Sequence, residues 1–382
     1  MQQRDRLENA PPGTLRQTVR SALERLGGTR TGFLFILAVT YCLVAAAVFH
    51  GYYEKWKMSD FAPPQSLTSM LDGTAARPYV YRQLLPQLAT TVERALPEGA
   101  RTAIVQRLVD ARGALRHPSG QDAAKDGYVL RYRIVYYATF FCLLTALFVQ
   151  RSICLAAGLN EAAAAAAPLL FALMIPILQT RGGFFYDYVE LLTFSLAARF
   201  AIGGHIVPLL LLAAPATANK ESFLFYCLAL PPLLMHRLSM RNAMLGALTA
   251  AFVSGITYLG IRMAYAGNPG SNAIFQLFDT LPFYANPLNL IAFDQTYGLP
   301  LFKGYGLIVF AWFGLLMTYG WRQVPRYIQD HLKLAAIINI PLFLLFCAEG
   351  EMRNLSMLFV STIVLIGAAA QRWLQSTHAL IK

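Results

Sequence analysis

The chain has 382 residues, 56% of them hydrophobic and 14% charged, with a formal net charge of +12. A soluble domain carries about 25% charged residues, and a chain of mean hydropathy +0.46 needs a bilayer to hide its apolar surface, which excludes an ordinary soluble enzyme. The positive balance reads as Arg-rich ends facing anionic headgroups; with no nucleic-acid-binding module in the sequence, no nucleic acid partner is expected.

Residues 1–31 form a basic tail with Arg4, Arg6, Arg16, Arg20, Arg25 and Arg30. Leu15, Val19, Leu23 and Leu26 recur in it at helical spacing, the pattern of an amphipathic helix lying on the membrane surface. The apolar run starts only near Thr31, too late for the short basic start of a cleavable signal. A retained first span over 32–51 is expected, with the N-terminus cytoplasmic. Residues 52–130 are a long hydrophilic external loop, longer than a simple connection. In it Val80, Leu84, Leu88 and Val92, and then Ile104, Leu108, Ala111 and Leu115, predict amphipathic membrane-surface helices.

Further spans are expected over 131–150, 160–179, 187–203, 205–218, 221–236, 243–264, 302–320, 333–348 and 355–371, about ten with the first. The segment 205–218 holds Pro208 and Pro215 and is short where a span needs about 20 residues, so it reads either as a span or as a re-entrant helix. Arg151, the 199–205 corner, Arg237, Arg241, Arg322, Arg326 and a cytoplasmic tail 372–382 then share one side, as the positive-inside rule requires. The expected fold is all-α: a polytopic bundle over 32–371 with surface helices in its first external loop. Cys42, Cys142, Cys154, Cys227 and Cys347 lie in or beside apolar segments and read as small buried hydrophobes.

The same threading gathers charges on the opposite, non-cytoplasmic face, where charge at a membrane edge is costly unless solvated or used. Asp60 and Asp72 follow the first span. Arg77-Pro78-Tyr79-Val80-Tyr81-Arg82 sets two arginines around tyrosines, and Arg matches a pair of phosphate oxygens. Arg181-Gly182-Gly183-Phe184-Phe185-Tyr186-Asp187-Tyr188, with Glu190, is a turn suited to packing on sugar rings and binding hydroxyls. Asn219-Lys220-Glu221-Ser222 places a rare lysine, one of seven, at a helix start. Glu349-Gly350-Glu351-Met352-Arg353-Asn354 joins the last two spans. Each of these stretches also reads as an ordinary interfacial turn, and Asn354-Leu355-Ser356 reads as a chance glycosylation triplet. Scattered histidines give no protein metal site of the zinc type, while a carboxylate-bound divalent cation stays open.

In layout, and at Arg77-Pro78-Tyr79-Val80-Tyr81-Arg82 and Asn219-Lys220-Glu221, the chain resembles the GT-C superfamily of integral-membrane glycosyltransferases. It departs from members with paired acids after the first helix, since Asp60 stands alone there. The resemblance implies a bacterial inner-membrane enzyme moving a sugar from a polyprenyl-phosphate donor to a lipid-linked or envelope glycan on the periplasmic face, with no obligatory cofactor. Asp60, with Asp72 second, is then the expected base. Arg77, Arg82, Lys220 and Arg353 bind the donor phosphate, and Tyr186, Asp187, Glu190, Glu221, Glu349 and Glu351 hold sugars. The alternatives are a transporter or flippase of a lipid-linked glycan, or a non-catalytic membrane subunit docking a partner protein.

Overall fold

The structure is a computed structural model that describes residues 29–59, 63–110 and 126–381. The chain divides into two units, Met1–Val44 and Ala45–Lys382. The first is described only where it begins helix α1 (Arg30–Trp56); the amphipathic helix expected in the tail, and Ala111 and Leu115, lie outside the described residues. Everything below concerns the second unit.

Among the described residues that unit is nearly all helical. After α1 come α2 (Leu67–Leu71), α3 (Leu84–Ala95), α4 (Glu98–Asp110), α5 (Asp126–Ala156), α6 (Glu161–Leu178), α7 (Phe185–Gly203), α8 (Ile206–Asn219), α9 (Ser222–Ala229), α10 (Pro231–Leu234) and α11 (Met240–Ala264). Then follow α12 (Leu277–Ala285), strands β1 (Phe293–Thr296) and β2 (Leu299–Phe302), α13 (Leu307–Gly320), α14 (Arg326–Phe346), a 3-10 segment (Met352–Leu358) and α15 (Phe359–Ile381).

Local chemistry sets several boundaries. The alanine run of α6 has high helix propensity, and its N-terminus is capped by the Asn160 side chain, which accepts from the Ala163 N–H at 2.8 Å. α7 ends on Gly204 in the left-handed region, φ 73°. Pro231 and Pro232 separate α9 from α10. The antiparallel β1–β2 hairpin, which the all-α expectation does not contain, turns on Tyr297 and Gly298, both at positive φ, the backbone a tight hairpin turn demands.

Among the described residues six helices are long and apolar enough to cross a membrane, as in an integral membrane protein: α1, α5, α6, α11, α14 and the stretch Met352–Ser376. The other four expected spans are helices of a different kind. α7 carries Asp187, Glu190 and Arg199. α8 and α13 have 14 residues each, and α9 and α10 are shorter still. α8, α9 and α10 form a hairpin packed on α7, α11 and α14. The extended residue Lys220 lies at its tip, φ −161° and ψ 135°. In α3 the packed face is Leu85 and Ala89, while Leu88 and Val92 of the predicted amphipathic stripe are exposed.

The two ends of this unit differ. At one, Tyr327 donates to the Ala156 carbonyl at 3.2 Å and stacks on His236 at 4.2 Å, and Gln371 accepts from the Asn160 N–H. Arg237, Arg241, Arg322, Arg326 and Arg372 are exposed there. At the other end the N-terminus of α7, the hairpin tip and the α14–α15 turn converge.

Candidate functional site

The convergence builds a buried ionic cluster. Glu190, one turn into α7, accepts from Lys220 Nζ at 2.8 Å, from Ser222 Oγ at 2.5 Å and from Ser356 Oγ at 2.9 Å. Lys220 also donates to Asn354 Oδ1 at 3.0 Å and lies 3.7 Å from Asp187. Arg353 bridges Asp187 at 3.0 Å and Glu351 at 2.9 Å, with its guanidinium 4.7 Å from the centre of the Phe184 ring. Asp187 meanwhile caps α7, accepting from the Phe184 N–H at 3.0 Å, and Asn354 donates to Glu351.

Arg82 extends the cluster on its other flank. One nitrogen pairs with Glu221 at 3.0 Å, and the guanidinium lies over the rings of Tyr79 and Tyr186 at 5.3 and 4.9 Å. Burial works against its charge, and Glu221 together with Tyr186 and Tyr79 more than offsets this, holding its pKa above the ordinary value. Arg82 is 7% exposed, yet its Nε and Nη1 have no hydrogen-bond partner, and neither do Arg353 Nε and Glu221 Oε2. Buried donors left unmade cost about 1–3 kcal/mol each, more on charged groups. The unfilled Arg82 and Arg353 donors are suited to an anion that arrives with its own oxygens, whereas the Glu221 oxygen is suited to a hydroxyl.

Local backbone holds the parts in place. Asn219, the last residue of α8, donates to the Tyr186 carbonyl at 2.9 Å, fixing the hairpin tip to α7. Asn339 of α14 donates to the Asn354 carbonyl and accepts from the Met357 N–H. Gly350, at φ 79°, lies against the Tyr305 ring where a Cβ has no room, so the α14–α15 turn requires glycine there.

The structure brings together Arg82, Tyr186, Asp187, Glu190, Lys220, Glu221, Glu351 and Arg353. Glu349 pairs with the half-exposed Arg181 at the rim, 3.1 Å away. Two expected residues stand apart. Asp72 caps α2 and pairs with Arg131, which also meets Glu93. Arg77 donates to the Gly270 carbonyl at 2.6 Å and anchors the segment after α11.

Asp60 lies outside the described residues. Ser59 just before it donates to the Gly183 carbonyl at 2.7 Å, and Trp56 Nε1 donates to the Gln179 carbonyl at 3.0 Å. Lys57, Met58 and Ser59 all take positive φ. Three successive non-glycine residues there cost about 1–3 kcal/mol each and persist only where the surroundings hold them.

Sequence reasoning missed Ser222, Asn339, Asn354 and Ser356 as functional side chains. The signal available was the Asn354-Leu355-Ser356 triplet: Asn354 and Ser356 are both consumed in the cluster, which a glycan acceptor cannot be. Among the described residues no group of three or more His, Cys, Asp or Glu is arranged to hold a metal ion. Comparison with protein-family models, curated proteins and solved structures gave no match.

Proposed function

We propose that the protein is a membrane-embedded transferase acting on a lipid phosphate, and in particular a glycosyltransferase of the GT-C type using a polyprenyl-phosphate sugar donor. In this reading the six long helices, α7, the re-entrant hairpin α8–α10 and α13 all sit in a bacterial inner membrane. The exposed arginines face the cytoplasm by the positive-inside rule, and the cluster faces the periplasm. The observation that carries the reading is Arg82: a nearly buried guanidinium with two donors unfilled, stacked between aromatic rings at the mouth of an ionic cluster.

The chemistry is a displacement at the anomeric carbon. Asp60 takes the proton of an acceptor hydroxyl as its oxygen bonds to that carbon. The carbon–oxygen bond to the phosphate breaks, and the electron pair leaves on the lipid phosphate. Arg82, Lys220 and Arg353 hold that anion, and Tyr186, Glu221 and Glu351 face the sugars. A lipid monophosphate carries less charge than a nucleotide diphosphate, so a metal is not obligatory.

The test is binding of polyprenyl phosphate against polyprenol to the protein in nanodiscs, followed by transfer of labelled sugar from a polyprenyl-phosphate donor. Arg82→Gln is expected to weaken phosphate-lipid binding about tenfold, the loss of one charge-assisted pair of roughly 1.4 kcal/mol. Asp60→Asn is expected to abolish transfer while sparing binding. Equal binding of polyprenol and its phosphate removes the reading. A break between half-length helices with a buried lysine at its tip is also how transporters build substrate sites; movement of a lipid-linked glycan across proteoliposomes without turnover decides for that alternative.

A further inference from the structure

The segment between α11 and α13 has two faces that ask for different surroundings. Its inner face is tied over the α14–α15 turn, which carries Glu349, Glu351 and Arg353. The Tyr284 hydroxyl accepts from the Gly350 N–H at 3.1 Å, the Gln276 N–H donates to the Leu345 carbonyl at 2.8 Å, and Arg181 lies 5.6 Å from the centre of the Phe283 ring. Lys55 ties the hairpin to α1 through Asp294 at 2.6 Å.

Its outer face is left largely uncovered by the described residues. Ile274, Phe275, Phe278, Leu281, Leu288 and Ile291 are exposed, Phe278 at 78%. Phe275, Phe278 and Leu281 recur three apart, one stripe along α12. Single exposed apolar residues are ordinary, but a contiguous patch of them marks a contact surface.

Continuity identifies what covers it. Phe278 lies 5.7 Å from Phe275, and Phe275 lies 6.4 Å from Phe346. Phe346 is the last residue of α14, one of the six helices fit to cross a membrane, whose outward face exposes Ile337 and Ile340. The segment is also entered from the exposed Leu259 and Met263 of α11 and left by the exposed Leu307 and Ile308 of α13. The patch thus prolongs a lipid-facing surface past the ends of the helices.

We infer that residues 274–302 are an interfacial segment, their apolar face seated in the leaflet at the cluster end and their other face roofing the Glu349–Arg353 turn. The partner is the acyl region of the lipid surface. The inference rests on membrane embedding and not on the reaction, so a failed transfer assay leaves it standing and its own failure leaves the transfer reading standing.

The experiment places a tryptophan at the patch in the full-length protein, Phe278→Trp, in phosphatidylcholine nanodiscs with or without 6,7-dibrominated chains. Phe278 is barely packed, so the exchange is compatible with the fold. The added fluorescence, taken as the difference from the parent protein, is expected to fall about twofold with brominated chains and to resist aqueous iodide, as for a side chain at the headgroup–acyl boundary. Nitroxides at Leu281→Cys and Asp279→Cys supply a second readout: oxygen access at 281 and nickel-chelate access at 279. Quenching of the introduced indole by iodide and not by bromine overturns the inference in favour of an open aqueous surface. Silence to both quenchers, with an immobile label at 281, overturns it in favour of a protein partner.

Discussion

The two ends of the second unit spend arginine in opposite ways. At one, Arg237, Arg241, Arg322, Arg326 and Arg372 are exposed, with Arg372 donating to the Tyr319 carbonyl and Arg326 pairing with Asp330. At the other, Arg82 and Arg353 are each 7% exposed and locked among carboxylates. The exposed set keeps its hydration, while the buried set is held against a desolvation cost of several kcal/mol per ion. Burial, and not residue type, separates the two sets.

Removing charge at each end tests that contrast most strongly. Glu190→Ala strands Lys220 without its closest partner and is expected to cost about 3–5 kcal/mol. Arg322→Ala is expected to stay within about 0.5 kcal/mol. Thermal unfolding in one detergent reads both, and equal losses break the comparison. Gly350→Ala attacks the cluster through its backbone: positive φ and the Tyr305 ring predict a loss of about 1–3 kcal/mol. Pairing it with Tyr305→Leu is expected to recover part of that loss, by the same melt. Ser222→Ala removes one bond to Glu190 and is expected to cost about 1 kcal/mol, with the Lys220–Glu190 pair kept. The smallest effect is expected from Asp330→Asn, which unpairs the outward-facing Arg326 and Lys333 for at most about 0.5 kcal/mol; a larger change in that melt sharpens the case for an unseen role of the basic end.

Much of this cluster was legible because its residues come in short runs that mix charge with apolar neighbours: Tyr186-Asp187, Lys220-Glu221 and Glu351-Met352-Arg353 all declare themselves at the edges of apolar segments. What the runs could not show was pairing. Glu190 and Lys220 are 30 residues apart, and Asp187 and Arg353 are 166 apart; only the packing of α7 against the hairpin and the last turn joins them. The serine at 222 gave no signal, since a hydroxyl beside a membrane helix most often bonds its own backbone. Helices were easier to find than to rank: apolar composition marks α8 and α13 as strongly as the long helices, and length alone tells them apart. On α3 the stripe Leu84, Leu88 and Val92 was visible, but periodicity does not say what it faces, because a lipid-facing stripe and a core-facing one have the same period. The two-residue turn at Tyr297-Gly298 lacked the usual Asn-Gly or Asp-Gly signature.

The hairpin tip bears on how the chain is made. Fourteen residues of α8 rise about 21 Å at 1.5 Å each, less than the roughly 30 Å of a bilayer core, and are followed at once by a lysine. Such an element gains little by entering lipid alone. Its counter-ion, however, is synthesised 30 residues earlier, on a helix already present when the lysine emerges. Assembly thereby acquires an order: Glu190 first, Lys220 onto it, and Arg353 last, closing on Asp187 only when the final helix has been threaded. A chain ending between residues 235 and 350 then holds the Lys220–Glu190 pair without the Arg353–Asp187 pair.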